Sequence, residues 1–293
     1  MDQAASVMSD PSSALYITFY PTLTASAVPL PDRAVFVCAN SLIVADKALS
    51  AKRGYNLRVV ETLVAARILA NSLGFKLGEK DRITLREIAS KVAGERDEED
   101  IGPESLEQTL MVLERKLEVL KPKNSLDGEL GLTMTEMIEK SGLPRNIFQE
   151  VYLSWVESES NYQQLQEPHL TRCRAYIVEA TYFQLYKRTK HVFSEARRVL
   201  QFRQACLSAA GSSDANDSTF LQGLGRLMND SQSSCSQLYE CSCPELDNLT
   251  RLAREAGAYG SRLTGVVLPN TTRSIKNLPR FQVQDGAVVQ SRL

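Results

Sequence analysis

The densest group of side chains that could do chemistry lies near the C-terminal end, where Cys235, Cys241 and Cys243 occur close together. Thiolates bind zinc, but the spacing C-x5-C-x-C is not that of a zinc site, and no histidine is nearby in the sequence. The six cysteines are scattered over a long chain that shows no secretion signal. We therefore interpret them as reduced thiols of a cytoplasmic protein and predict no metal site.

Two other groups of residues lack the pattern of a catalytic or phosphate-binding site. His191 is one of only two histidines, and it falls in the middle of a predicted helix, where a packed histidine is more common than a catalytic one. The glycines at Gly54 and in the string GLG (223–225) do not form a phosphate-loop pattern. The sequence therefore predicts no cofactor-binding loop in this chain.

The overall charge argues against two classes of partner. Lys and Arg number 34 and Asp and Glu number 35, so the formal net charge is -1. A nearly neutral chain has no global field that would draw it to nucleic acid or to an anionic membrane. No apolar run approaches the roughly 18 residues of a membrane-spanning helix. We expect neither a nucleic-acid partner nor a membrane partner.

The first part of the chain is predicted to contain strands. The run ALYITF (14–19) is rich in residues that favour strands, and residues 23–28 could pair back on it as a hairpin. The run AVFVCA (34–39) is continuously apolar and predicts a central strand that is buried on both faces. A helix follows from residue 56 to residue 73, with Asn56 as N-cap and Gly74 as stop signal.

The remainder is mostly helical, which predicts an α+β fold. Residues 78–130 are densely charged and are interpreted as an inserted helical element rather than core, with an apolar stripe at Leu106, Leu110, Leu113 and Leu117. Ser242 and Glu245 fit a capping box, with Pro244 in the first helical turn. From residue 266 onward the sequence has no helical period, and we expect that segment to be largely disordered.

Four strings occur in a fixed order: MDQAASV (1–7), NSL (40–42) with YNLRVVE (55–61), KHVFSEAR (190–197), and CSCPELD (241–247) continuing to GAYGSRLTG (257–265). In wording, order and spacing they resemble galactokinases of the GHMP sugar-kinase superfamily, especially the fungal branch. The resemblance implies a GHMP-kinase C-terminal domain, a few-stranded sheet packed by helices, at residues 33–265. Residues 1–32 would be a remnant of the N-terminal kinase domain, and residues 266–293 a divergent tail.

The sequence also differs from this family, because specific family motifs do not occur in it. The family's motif G-R-x-N-L-I-G-E-H-x-D-Y and its serine-rich loop G-L-S-S-S-A do not occur in the sequence, and the third motif stops after LTG (263–265). The resemblance therefore implies a chain truncated at both ends, without the ATP-binding loop and inactive alone. Without the strand that follows the third motif, we expect the strand at 34–39 and its neighbours to have an open apolar edge.

The resemblance also assigns residues to a reaction. Galactokinases transfer the ATP γ-phosphoryl group, with Mg²⁺, to the 1-hydroxyl of galactose. Asp2 matches the family's catalytic aspartate, which can orient that hydroxyl and take its proton. Tyr55 matches the tyrosine that contacts the sugar, whereas Arg58 is expected to be a surface or ion-pairing arginine. Two alternatives remain: a non-catalytic galactose and ATP sensor that binds a transcriptional repressor, and a defective gene model without a stable product.

Overall fold

The structure, a computed structural model, describes residues 7–8, 13–41, 43, 52–95, 101–123, 131–154, 178, 180–210 and 218–264, and the backbone of 287–292. The chain divides into two compact units. The first comprises residues 1–45, 93–110 and 193–293, and the second comprises residues 46–92 and 111–192. The family domain boundaries at residues 32 and 265 stay predictions. No helix in the described ranges is long and apolar enough to cross a membrane.

Eight α-helices occur in the described residues. They are α1 (Tyr55–Ser72), α2 (Leu85–Ala93), α3 (Pro103–Glu114), α4 (Met134–Ser141), α5 (Arg145–Leu153), α6 (Leu185–Ala209), α7 (Ser218–Ser234) and α8 (Pro244–Glu255). The strands are β1 (Ser13–Thr18), β2 (Thr24–Pro29), β3 (Val35–Asn40), β4 (Leu132–Thr133), β5 (Tyr182–Phe183), β6 (Gly260–Thr264) and β7 (Ala287–Arg292). Helices that outnumber short strands confirm the α+β prediction.

The hairpin near the start of the chain is confirmed. Strands β1 and β2 pair antiparallel, with Ser13 opposite Pro29 and Thr18 opposite Thr24. Val28 of β2 packs with Cys206 of α6 and Leu224 of α7 in one apolar cluster. The hairpin is therefore held against the helices of the first unit by burial of its apolar face.

The strand β3 confirms one prediction and corrects another. It forms where the apolar run predicts a strand, but it lies at the edge of a parallel sheet with the order β3-β7-β6. Val35 and Val37 are 43% and 37% exposed, so the prediction of a central strand buried on both faces is wrong. An apolar run favours a strand but carries no information about how many neighbours that strand will have.

The strand β7 also differs from expectation, because it lies in the segment predicted to be disordered. Its backbone pairs with β3 on one side and with β6 on the other. The edge of β3 that was expected to be open is therefore paired with β7. Residues 265–286, which connect β6 to β7, lie outside the described residues.

The helix α1 is the centre of the second unit. Leu57, Val60, Val64 and Ile68 are all buried, which confirms the predicted apolar stripe. The N-cap is Gly54 rather than Asn56, because the main-chain N–H of Arg58 already donates to the Gly54 carbonyl, 3.0 Å away. Gly74 ends the helix with a φ of 82°, as predicted for a C′ glycine.

The segment predicted as an insertion is helical, but it also contributes core. Besides α2 and α3 it contains a 3-10 turn at Leu117–Leu120, and the side chains of Ile88, Leu113 and Leu117 are almost completely buried. The expectation that this segment lies outside the core is therefore wrong. The many charged residues of this segment made its apolar helix faces difficult to recognise in the sequence, and these faces are evident in the packed helices.

Helix caps were predicted less well than helix positions. Thr133 and Glu136 form a complete capping box at the start of α4, which the sequence analysis missed. At α8, Pro244 occupies the first turn as predicted, but the N-cap is Cys243 and makes no side-chain capping bond. The Ser242 hydroxyl donates instead to Oδ1 of Asp247, 2.7 Å away, so the predicted capping box of Ser242 and Glu245 is wrong.

Candidate functional site

Tyr55, the predicted sugar-contacting residue, is the first residue of α1. Tyr55 is 67% exposed, whereas Leu57 and Val60, in the first two turns of the same helix, are buried. The phenol is thus presented to solvent from a backbone that the core holds in place, which is a suitable arrangement for a binding side chain. Asp2 lies outside the described residues, so its distance from Tyr55 is not defined.

A buried ionic network supports the first turns of α1. Glu61 is completely buried, and its Oε2 accepts from Nε of Arg188 at 2.8 Å and from Nη1 of Arg58 at 3.3 Å. Its Oε1 accepts from the main-chain N–H of Gln184, the residue before α6, at 2.6 Å. The ion-pairing alternative for Arg58 is confirmed, but the side chain is buried. Arg188, 127 positions from Glu61, was missed because no local signal links them.

In the first unit, α7 runs along the edge of β6 and pairs with it through side-chain amides. The Asn229 amide donates to the Tyr259 carbonyl and accepts from the Ser261 N–H, both at 3.0 Å. Oε1 of Gln232 accepts from the Leu263 N–H at 2.8 Å. These amides satisfy main-chain groups that a neighbouring strand would otherwise satisfy, so they protect the edge of β6.

Two glycines make this close approach possible. A Cβ placed on Gly225 would lie 2.4 Å from the carbonyl oxygen of Tyr259, and one placed on Gly260 would lie 2.4 Å from that of Gly225. Both distances are far shorter than any real contact, so no other residue fits at this crossing. The string GLG (223–225) was considered in the sequence analysis only as a phosphate-loop candidate, and its packing role was missed.

Asp247 of α8 is the centre of a hydrogen-bond network beside this crossing. Its Oδ1 accepts from the Ser242 hydroxyl at 2.7 Å and from Nε2 of Gln232 at 2.8 Å, and its Oδ2 accepts from the Ser236 hydroxyl at 2.9 Å. Gln232 contacts both Asp247 and Leu263, so it connects α8 to β6 through α7. The Asp247 carboxylate, at the end of the string CSCPELD (241–247), therefore has a structural role.

Glu195 of α6 is the centre of a second network. Its carboxylate accepts from Nε and Nη2 of Arg198, from the Ser231 hydroxyl and, at 3.3 Å, from Nη1 of Arg262. Burial raises the pKa of Glu195, but the charge of Arg262 and the hydrogen bonds from Ser231 and Arg198 outweigh burial, so this pKa lies below its ordinary value. His191, one turn earlier on α6, is buried, as expected for a packed histidine.

The three clustered cysteines lie at the end of α7 and the start of α8. Cys235, Cys241 and Cys243 are buried and pack with Leu246 and Leu263. Burial raises the pKa of Cys243 to about 11. The pKa of Cys235 is lowered, chiefly by its hydrogen-bond interaction with the Cys241 side chain. The described cysteines are not joined in disulfides, and their reduced state stays a prediction.

The chain is similar in sequence to known sugar kinases. Residues 215–265, which contain α7, α8 and β6, match the family "GHMP kinases C terminal". A galactokinase of Dictyostelium discoideum is 32% identical over 278 residues, and one of Saccharomyces cerevisiae is 34% identical over 283 residues. Each alignment covers 90% of this chain, and 47% and 48% of those proteins. The chain is a homologue of the galactokinases and carries a GHMP-kinase C-terminal domain.

The galactokinase likeness is not limited to one motif. A galactokinase of Candida parapsilosis is 32% identical over 295 residues, which is 96% of this chain and 52% of that protein. This chain therefore spans about half the length of the curated relatives that it matches. The region matched to the GHMP kinases contains the amide pairing of α7 with β6, the Asp247 network and the three cysteines. These contacts of the first unit therefore all lie within the matched region.

Proposed function

We propose that the protein represented by this chain is a cytoplasmic galactokinase, which transfers the γ-phosphoryl group of ATP to the 1-hydroxyl of galactose. The observation that carries the proposal is the galactokinase similarity over 90% of the chain. The exposed position of Tyr55 at the start of a buried helix is consistent with the role that the family gives this residue.

Two side chains of this chain would act on the sugar in the proposed reaction. The Asp2 carboxylate would orient the 1-hydroxyl and take its proton as the phosphoryl bond forms. The Tyr55 hydroxyl would hydrogen-bond the sugar and hold it against the start of α1. Phosphoryl transfer depends on positioning and charge stabilisation more than on covalent chemistry, and both proposed roles position the sugar or its reacting hydroxyl.

The reaction also requires ATP and Mg²⁺, and two carboxylates of the first unit can be tested for the metal. Mg²⁺ is bound by carboxylate oxygens together with water and substrate phosphates. The oxygens of Glu195 already accept from Arg198, Arg262 and Ser231, and those of Asp247 accept from three neutral donors. Neither carboxylate fits a magnesium site, and we assign no metal step to them.

Replacing Tyr55 with phenylalanine tests the sugar contact. In a protein that joins this chain to the ATP-binding motifs of the family, we expect Y55F to raise the KM for galactose about tenfold, because one hydrogen bond to the sugar is lost. The KM for ATP should not change. The measurement is steady-state galactose-dependent ADP release by a coupled assay.

The matched control is Tyr182→Phe, which removes the hydroxyl of another exposed tyrosine of the second unit. Its KM for galactose should equal that of the unchanged protein. An unchanged KM for Y55F would contradict the role of Tyr55, whereas absence of galactose-dependent ADP release from the same protein without the Y55F substitution would contradict the galactokinase proposal. Galactose binding without turnover would favour a sensor.

The 293-residue polypeptide alone is expected to be inactive. The family's serine-rich phosphate-binding string does not occur among its residues, and such a loop at a helix N-terminus normally holds the nucleotide phosphates. Loss of that positioning removes most of the rate enhancement. In the same assay we expect no ADP release above background, and galactose-dependent release clearly above it would contradict this expectation.

A further inference from the structure

The end of α7 brings two cysteines of the chain together. Residues Cys235–Tyr239 form a π-helical turn, and Glu240 follows in the left-handed conformation with a φ of 54°. The chain then reverses, so that the Cys241 N–H donates to the Cys235 carbonyl at 3.0 Å. A disulfide needs Cα atoms about 4.4–6.8 Å apart, a range typical of two residues that share such a main-chain hydrogen bond.

The side chain of Cys241 also lies against Cys235. The Cys241 thiol donates a hydrogen bond to the Cys235 carbonyl oxygen, 3.6 Å away. A π-helical turn is rare, and such turns are found frequently at functional sites. The same turn and the left-handed residue after it are what place Cys241 against Cys235.

The surroundings distinguish Cys235 from the other buried thiols. The Cys241 hydrogen bond lowers the pKa of Cys235; burial and the charge of Glu195 oppose this effect, and Arg262 and Ser231 add to it. Burial raises the pKa of both Cys206 and Cys243 to about 11. Since the thiolate is the form that reacts with oxidants, Cys235 is the most reactive of these three buried cysteines.

We propose that Cys235 and Cys241 are a reversible dithiol–disulfide site that is oxidised by hydroperoxides. The Cys235 thiolate attacks the hydroperoxide, the O–O bond breaks, and Cys235 becomes a sulfenic acid while an alkoxide leaves and takes up a proton. The Cys241 sulfur then attacks the sulfenic sulfur, and the hydroxyl leaves as water with the Cys241 proton. Two thiols are oxidised to one disulfide, and the hydroperoxide is reduced to an alcohol and water.

Access to this site depends on local opening. Cys235 and Cys241 are only 3% and 4% exposed, so a small oxidant reaches them when the end of α7 opens briefly. Disulfides of cytosolic proteins are usually transient and redox-sensing, which matches a buried pair that reacts slowly and can be reduced again. The site is separate from the sugar-binding role of Tyr55, so it does not depend on the proposed kinase activity.

Mapping the cross-link after peroxide treatment tests this inference. The full chain is exposed to cumene hydroperoxide, alkylated in denaturant, and cleaved after Glu240, which separates the peptide of Cys235 from that of Cys241. We expect the two peptides to be joined by a bond that dithiothreitol removes, with fragment ions that assign it to Cys241. The Cys235–Cys241 product should exceed the Cys235–Cys243 product at least tenfold.

Two variants complete the experiment. Cys243→Ser is the matched control and should leave the cross-link unchanged, whereas Cys241→Ser should abolish it and leave Cys235 as a sulfenic acid that dimedone traps. A product that joins Cys235 to Cys243, or no oxidation of Cys235 before the protein unfolds, would overturn the proposal. Mapping of the cross-link in the unchanged chain tests the proposal even if either variant fails to fold.

Discussion

Replacing Gly225 with alanine is expected to destabilise the first unit by about 3 kcal/mol. The new methyl group would lie 2.4 Å from the backbone oxygen of Tyr259 and 2.7 Å from its Cβ. Backbone atoms cannot rotate away, so α7 must move off β6, and overpacking of this kind typically costs about 1–3 kcal/mol. The move also stretches the hydrogen bonds of Asn229 and Gln232 to β6, each worth about 1 kcal/mol.

Gly223→Ala, two residues earlier on the same helix, is the matched control. A Cβ at Gly223 would meet only Nη2 of Arg226, at 3.9 Å, which is an ordinary contact. Alanine is favoured over glycine within a helix by about 1 kcal/mol, so this variant should be as stable as the unchanged protein or more stable. Urea denaturation, monitored by circular dichroism, measures the stability of both variants. Equal midpoints for the two variants would contradict the close crossing.

The Gly225–Gly260 crossing lies within the region matched to the GHMP kinases and explains how α7 packs so closely on β6. The two glycines bring the helix axis close to the strand, and this closeness lets the short amides of Asn229 and Gln232 reach the strand's main chain. Because Gly225 and Gly260 share one contact, their alanine variants should not be additive. The double variant should lose less stability than the sum of the two single losses.

The sequence was informative where structure is decided within a few residues. The stripe at Leu57, Val60 and Val64 predicts α1 because side chains three or four residues apart share a helix face. The hairpin of β1 and β2 was found for the same reason, since its partners are separated by a short turn. The order of the three-stranded sheet was not found, because residues 35–40 and 287–292 pair across almost the entire chain.

The candidate site was also predicted only where the signal is local in the sequence. Tyr55 was assigned from the wording of a short string; the structure places it at an exposed helix start, and its contact with the sugar stays a prediction. Gly225 and Arg188 have no comparable local signal, because their contacts are with Tyr259 and Glu61, which are distant in sequence. The burial of Glu61 and Arg58 was not predicted either, because both are charged residues in a helix and their burial depends on contacts that include the distant Arg188.

Removing the Glu61 carboxylate should be as damaging as filling the crossing at Gly225. Glu61→Ala leaves the buried guanidinium groups of Arg58 and Arg188 without their shared counter-charge. Breaking a buried ion pair on one side typically costs about 3–5 kcal/mol, because the remaining charge has lost its solvation without compensation. The N–H of Gln184 at the start of α6 loses its acceptor as well. We expect a loss of about 4 kcal/mol in urea denaturation.

The control for this variant is Glu150→Ala, which removes an equally charged partner from the exposed pair with Lys80. Solvent screens that pair, so the denaturation midpoint should stay the same within error. A loss of similar size for both variants would contradict the dominance of the buried network and would point to a general effect of net charge.

A triple variant separates the cost of stranded charge from the value of the network. If Arg58, Glu61 and Arg188 are all replaced by apolar residues of similar volume, no buried charge is left without a partner. Such replacements are often neutral or stabilising, so the triple variant should regain most of the stability that Glu61→Ala loses. Failure to regain it would mean that the network stabilises α1 through its geometry. The network would then be needed to hold the first turn that presents Tyr55.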